Sequence, residues 1–235
     1  PAFYEQDADE VGIGGNYQFN DNINLAAGFL SDSSLSGNAD ADSPAHGVFN
    51  SNWAGMTQLT GTVGKFEGAL AFVHEYKDGT RTATGNFRFF DNVGTPVTSL
   101  NGDSVTAETV GVSMKYEFSP RFILSAFGTH SWGNTHSGPD TDAQAYSAGI
   151  GFVLPDLFRE GNTGGIAVGI PPTVYSVNDN EPTSYATPIA VDLFYDFKVS
   201  DNITITPGGI VLFNGNDRTT SDTVLVGAIK TKFKF

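Results

Sequence analysis

The chain has 235 residues, no cysteine, 28 glycines, 19 phenylalanines and a formal net charge of −14. Without cysteine there are no disulfides, thiolate metal sites or cysteine nucleophiles, and the negative charge argues against nucleic acid, which needs a basic face. Aromatic residues make up 12%, too many for a disordered acidic chain, and no run approaches the roughly 18 apolar residues of a membrane helix, a limit that leaves membrane strands open because their hydropathy signal is weaker.

The chain opens at Pro1-Ala2-Phe3 with no initiator methionine and no signal peptide, as a mature product or part of one would. The first element follows: Val11, Ile13, Gly15, Tyr17 and Phe19 face one way, and Gly12, Gly14, Asn16 and Gln18 the other. After the short connection Asn20-Asp21-Asn22, the next segment carries Ile23, Leu25, Ala27 and Phe29. Further alternating segments are Gly55–Gly64, Phe66–Tyr76, Ala107–Phe118, Phe122–His130, Ala143–Leu154, Gly164–Ile170, Pro188–Lys198 and Asn202–Phe213. In the last, Asp222–Phe235, the residues Leu225, Gly227, Ile229, Thr231, Phe233 and Phe235 share one face, and Lys230, Lys232 and Lys234 share the other. Opposite characters on two faces at a period of two describe a strand between lipid and a polar lumen.

About eleven segments result, most about 9–12 residues long. That length matches the 9–11 residues of a tilted membrane strand rather than the 5–6 of soluble sheets. No useful stretch has a helical period. Connections alternate in length: Asn20–Asn22, Lys65-Phe66, Ser119–Arg121 and Val199–Asp201 are short, and Pro155–Thr163 is intermediate. Ser31–Ala54, Lys77–Thr106, Ser131–Asp142 and Pro171–Thr187 are longer, with Asn214–Ser221 intermediate. Short turns on one rim and long loops on the other describe an outer-membrane barrel. Tyr17 and Phe19, then Tyr116, Phe118 and Phe122, then Tyr195 and Phe197, then Phe233 and Phe235, flank the short-turn end as an aromatic girdle. The predicted fold is therefore all-β, a transmembrane antiparallel β-barrel.

The strand count is odd, whereas bacterial single-chain barrels have an even number. The first strand runs toward a short turn, so it starts on the long-loop side. The expectation is that residues 1–235 are the C-terminal part of a longer barrel, unless a strand near Asn86–Phe90 or within Gly164–Val174 is miscounted.

The segment Asn202-Ile-Thr-Ile-Thr-Pro-Gly-Gly-Ile-Val, then Asn214-Gly-Asn-Asp, then Asp222–Phe235, resembles the C-terminal end of cyanobacterial outer-membrane porins of the OprB-like, carbohydrate-selective or iron-uptake group. Tyr195-Asp196-Phe197-Lys198 and Gly15-Asn16-Tyr17-Gln18-Phe19 fit the same pattern, and Phe235 resembles the terminal aromatic read by the barrel-assembly machinery. The resemblance implies an integral outer-membrane protein of cyanobacterial or plastid-envelope type. It implies a homotrimer of 16-stranded barrels in a bilayer with lipopolysaccharide, passing inorganic ions, iron among the candidates, and small hydrophilic solutes including carbohydrates. Complete members also carry a peptidoglycan-binding domain and a coiled coil, neither of which is in this chain, so any peptidoglycan contact would come through that missing N-terminal domain.

A porin selects by pore width, lumen charge and infolded loops. Parity points Lys230, Lys232 and Lys234 inward; the alternative is that Lys232 and Lys234 lie at the periplasmic rim and solvate it, which for Lys234 weighs equally. Asp192, Asp196 and Lys198 fall inward opposite Leu193, Tyr195 and Phe197, Lys115 and Glu117 opposite Met114 and Tyr116, and Glu67 and Glu75 opposite Leu70 and Phe72. Lys77–Thr106 is the candidate constriction loop, with Arg81, Phe87, Arg88, Phe89, Phe90 and Asp91. Acidic residues in or beside the long loops, from Asp32, Asp40 and Asp42 to Asp217 and Asp222, would concentrate cations at the mouth; solubility and divalent bridging of lipopolysaccharide explain them equally well. Of the four histidines, His130 and His136 match no compact metal-ligand spacing. Ser131 beside His130 is the one hint of a nucleophile, and adjacent strand residues point to opposite faces. Neither an enzyme nor a cofactor is expected. The alternatives to a diffusion porin are a plugged or structural barrel and a soluble β-sandwich binding module.

Overall fold

A computed structural model describes residues 10–32, 52–78, 104–136, 142–178, 186–214 and 223–234. These form eleven strands: β1 (Glu10–Asn20), β2 (Ile23–Asp32), β3 (Trp53–Val63), β4 (Phe66–Asp78), β5 (Ser104–Ser119), β6 (Phe122–Thr135), β7 (Asp142–Pro155), β8 (Thr163–Val177), β9 (Ile189–Lys198), β10 (Ile203–Phe213) and β11 (Val224–Phe233). They lie in one sheet in chain order, each antiparallel to the next. The connections 21–22, 64–65, 120–121, 156–162 and 199–202 fall on one rim; 33–52, 79–103, 136–141, 178–188 and 214–223 fall on the other.

Register shows why alternation matters. Directly opposed residues on neighbouring strands point to the same side of a sheet. One cross-strand row reads Phe66, Tyr116, Leu124, Phe152, Ile166, Leu193, Gly209 and Gly227. The row one residue over reads Glu67, Lys115, Ser125, Gly151, Ala167, Asp192, Ile210 and Val226. A hollow of about 470 Å³ is lined from β3 through β9, largely by side chains of the second set, among them Gln58, Glu67, Lys115 and Asp192. A hollow reaching across that many strands marks the concave side, so the apolar row is convex. Leu59, Leu70, Val112, Leu193, Leu225 and Ile229 stand exposed on that convex face.

At the short-turn rim the convex face carries paired rings. Centroids of Tyr17 and Phe19 are 5.0 Å apart, Tyr116 and Phe118 4.7 Å, Phe118 and Phe122 5.3 Å, and Tyr195 and Phe197 4.4 Å. Phe122 stacks on Phe152 across β6 and β7 at 5.7 Å. The connection 156–162 is longer than the connections 120–121 and 199–202 beside it. Asp156 and Phe158 have positive φ, 55° and 62°, a conformation that costs a non-glycine residue on the order of 1–2 kcal/mol. Offsetting contacts hold it: the Tyr195 hydroxyl donates to the Leu157 carbonyl at 2.7 Å, and Asn162 Nδ2 donates to Tyr195 Oη at 2.9 Å. Gly161 N–H donates to the Asp156 carboxylate at 2.8 Å, and Lys198 N–H to Asn162 Oδ1 at 3.0 Å.

Several strands outrun their alternating windows. β6 continues to Thr135 and β8 to Val177, so the connection expected at Ser131–Asp142 shrinks to 136–141 and that at Pro171–Thr187 to 178–188. Toward this rim the convex face turns polar and aromatic (Thr106, Glu108, His130, Trp132, Gln144), which ends the apolar signal while the hydrogen-bond ladder runs on. β8 is one strand. Pro171 and Pro172 sit at a register shift opposite Tyr146–Ala148, and recorded pairing to β9 ends at Gly169 with Ala190. Proline, lacking an N–H, is tolerated where a ladder is interrupted. The segment Asn86–Phe90 lies outside the described residues.

The described core is a patch of small side chains on the concave face near the long-connection rim, including Ala54, Ala71, Val73, Val105, Ala107, Ala143 and Ala145. Hydroxyl pairs tie its strands at Thr109–Ser131, 2.7 Å, and Thr129–Ser147, 2.8 Å. If the convex apolar band is the lipid-facing one, Val112→Arg will destabilise the folded protein by roughly 2–4 kcal/mol, whereas Thr106→Arg, six pairs nearer the long-connection rim, will cost about 0–1 kcal/mol. Urea unfolding in vesicles, followed by heat-modifiable gel mobility, measures both. Equal costs would contradict the band.

Candidate functional site

Register brings Glu67 and Lys115 directly opposite each other on β4 and β5, facing the concave hollow. Lys115 Nζ lies 3.4 Å from Glu117 Oε1 and 4.0 Å from Glu67 Oε2, and all three side chains are roughly half exposed. Such pairs contribute about 0–1 kcal/mol, so the cluster does little for folding and leaves its charges to act on what fills the hollow. Asp192 lies in the same row on β9, four strand spacings of about 4.8 Å away. Between them stand only Ser125, Gly151 and Ala167.

Two aromatic residues also face inward, and the alternation read from the sequence did not single them out. Phe127 on β6 is 44% exposed and lines the hollow. A Cβ on Gly149 would come within 2.6 Å of its ring, so the bare glycine is the ring's seat. Phe194 on β9 repeats the device over Gly165, where a Cβ would lie 2.2 Å from the ring. The available signal was the run of glycines at concave positions of the neighbouring strands β7 and β8, which hold Gly149, Gly151, Gly165 and Gly169.

Nearer the short-turn rim, a polar hollow of about 310 Å³ is lined by Asp196, Lys198, Asp201, Lys232 and Lys234, among others. Lys230 and Lys232 oppose Thr206 and Thr204, and Lys234 N–H bonds the Asn202 carbonyl at 2.9 Å. Asp196 accepts a 2.5 Å bond from the Thr206 hydroxyl. Lys198 Nζ sits 2.8 Å from Asp201 Oδ1. Glu75 is concave as well, opposite Ala54 and Ala107, nearer the other rim. The expected charges thus fall in two main groups, one around Lys115 and one around Lys198 and the β11 lysines, with Asp192 on the flank and Glu75 toward the long-connection rim. Arg81, Phe87, Arg88, Phe89, Phe90 and Asp91 lie outside the described residues, as do Asp40, Asp42, Asp217, Asp222 and Phe235.

Among the described residues no three metal-ligating side chains cluster. On the convex face His74 Nδ1 meets Glu108 at 3.0 Å, His130 Nε2 meets Tyr175 Oη at 2.8 Å, and His136 Nε2 meets Thr106 Oγ1 at 2.8 Å. Ser131 bonds Thr109 on the opposite, concave face, so it and His130 form no nucleophile–base pair.

The profile of the family described as "Carbohydrate-selective porin, OprB family" matches residues 10–235. An uncharacterized protein of Nostoc sp. strain PCC 7120 is 30% identical over 237 residues, covering 96% of this chain and 40% of that protein. An uncharacterized protein of Synechocystis sp. strain PCC 6803 is 27% identical over 257 residues, covering 95% of this chain and 43% of that protein. The chain therefore spans about 40% of the length of these curated relatives. A solved structure of in-vitro folded OmpT, an outer membrane protein of Vibrio cholerae, aligns with a TM-score of 0.45 at 12% identity, covering 95% of this chain and 88% of that one.

Asp201, in the 199–202 connection, gives the site a pH signature. The hydrogen bond from Lys198, and then its charge, hold the Asp201 carboxyl below its ordinary value of 3.8. A lowered carboxylate pKa means the pair's contribution is present above that ordinary value and lost as pH falls through the depressed one. Carboxyl-labelled NMR titration of Asp201 will show a midpoint below 3.8, and Lys198→Gln will return it toward 3.8. An unchanged midpoint in the variant would remove Lys198 as the cause.

Proposed function

Because the chain belongs to the OprB family of carbohydrate-selective porins, we propose that it forms part of a water-filled outer-membrane channel for passive diffusion of inorganic ions and small hydrophilic solutes. The observation that carries this is the pair of adjacent rows, one apolar and convex, the other with Glu67, Lys115 and Asp192 facing a hollow. A wall that is lipid-compatible outside and charged inside is what a channel between bilayer and water requires.

In this proposal Lys115, Glu117, Glu67, Glu75, Asp192, Asp196, Lys198, Lys230, Lys232 and Lys234 line the pore, with Phe127 and Phe194 lying flat along it. Solute separation follows from charge and width with no bond-making step, so no enzyme chemistry is invoked. β1 and β11 are the sheet's edges and both run toward the short-turn rim. Pairing them directly would be parallel, so antiparallel closure takes an odd number of further strands. Residues 1–235 are then the C-terminal part of the barrel; five further strands would make 16, in a trimer. Iron among the ions, the cyanobacterial or plastid envelope, lipopolysaccharide contacts and peptidoglycan binding by a further domain belong to the same proposal. Family membership leaves the soluble sandwich without support.

A second reading, a plugged or structural barrel, is favoured by one observation: Ala71, Val73, Val105, Ala143 and Ala145 are buried on the concave face, where an open bore would expose them.

Planar-bilayer recording on the full-length protein separates the two. Discrete ohmic steps are expected, with a reversal potential in a salt gradient that moves toward cation preference when Lys230, Lys232 and Lys234 are all changed to Gln. Steps without that shift would take the lysine ladder out of the conducting path. No steps, from protein whose heat-modifiable mobility shows it folded, would establish the plugged reading.

A further inference from the structure

The connection 156–162 presents a feature that the channel does not use. Phe158 is 90% exposed, more than any other large apolar side chain among the described residues, and it is held in the left-handed region at φ 62°. A bare ring on a strained backbone is a poor solution for a loop in water, where a glycine or asparagine would relieve both faults. Nor is the loop slack. Tyr195 and Asn162 tie it to β9, and Asp156 closes it on Gly161.

Its direction is outward. Leu157 fills the space a side chain would take at Gly164, whose missing Cβ would lie 2.4 Å from Leu157 Cδ2. Gly164 opposes Tyr195 and so belongs to the convex set. The Phe158 ring centroid lies 6.1 Å from that of Tyr195, which meets Phe197 in the girdle. Arg159 and Glu160, both exposed, follow immediately. The loop thus laps over the convex wall at girdle level, continuing an apolar surface and ending in charged groups.

We propose that the 156–162 connection is a bilayer anchor that inserts Phe158 into the headgroup–acyl boundary of the leaflet at the short-turn rim, with Arg159 at the lipid phosphates. Aromatic residues at this depth hold a membrane protein in register with the bilayer, and a rigid loop places the ring without the entropy cost of ordering it on arrival. The proposal rests on the barrel reading above.

The chain has no cysteine, so nitroxide labels can be placed singly in the full-length protein, freed of any cysteine elsewhere and reconstituted in phosphatidylcholine vesicles. Labels at Phe158→Cys, at Ile229→Cys on the convex face of β11 and at Ser200→Cys in the 199–202 connection report collision with oxygen, which concentrates in lipid, and with a nickel chelate, which stays in water. An oxygen-to-nickel ratio at 158 several-fold above that at 200 is expected, lower than at 229. A ratio at 158 equal to that at 200, with 229 in lipid, overturns the anchor and leaves the barrel standing. A water-like ratio at 229 overturns the barrel reading, and the anchor with it.

Discussion

The structure depends on the cross-strand ladder that joins each strand to the next. In hydrocarbon there is no water to satisfy a backbone N–H or C=O, so a strand can face lipid only when its neighbours take every such group. The same ladder decides what each side chain does. Because the side-chain period is two, a slip of one residue would move Glu67, Lys115 and Asp192 to the lipid face and Phe66, Tyr116 and Leu193 to the hollow. Tight turns guard against that slip. Gly64 adopts φ 60° in the two-residue connection of β3 and β4, Asn20 Oδ1 accepts from Asn22 N–H at 2.9 Å between β1 and β2, and Ser119 Oγ accepts from Arg121 N–H at 3.3 Å between β5 and β6.

The membrane's demand and the ladder's extent are separate constraints, and the strands show both. Lipid requires apolar side chains only over the hydrocarbon thickness, while hydrogen bonding persists wherever two chains run side by side. On the convex face, Val110 and Val112 therefore give way along β5 to Glu108 and Thr106, which find partners in His74 and His136. Phe29, Trp53 and Tyr76 stack across three strands at the same level, with centroids 5.7 and 6.3 Å apart. Of these, Trp53 and Tyr76 carry a polar edge that suits the zone between hydrocarbon and water.

This separation explains what could be read from the sequence. The faces of β1, β9 and β11 were legible because each strand ends close to where its apolar alternation ends. The upper parts of β6 and β8 were not, since the strands run on past that alternation: His130 and Trp132 are still paired, and β8 resumes pairing at Thr173 beyond the register shift at Pro171 and Pro172. Lys230, Lys232 and Lys234 were legible because three like charges at spacing two admit one partition. Phe127 and Phe194 were not, because an aromatic residue on the polar face contradicts a binary pattern, and its explanation lies on the next strand in Gly149 and Gly165. The fold of 156–162 was equally hidden. Nothing about Phe158 announces a positive φ; the contacts that hold the loop run to Tyr195, which lies on β9 far away in sequence. Thus the fold was legible because its rule is local, whereas the wall's finer relief was not, because it is set between strands.

That relief bears on how the concave wall can work. A ring seated on a neighbouring glycine lies along the sheet instead of projecting from it, so Phe127 and Phe194 cover wall while taking little of the bore. Across β6 to β8 the Glu67–Asp192 row then holds only Ser125, Gly151 and Ala167, and charge enters from its two flanks. Near the long-connection rim the same face is small and buried; near the short-turn rim it is charged and open. A solute moving along this wall would pass from a surface set by packing to one set by electrostatics. In the channel proposal width and charge fall to different residues, since the β11 lysines lie apart from the packing at Val73, Val105 and Ala145.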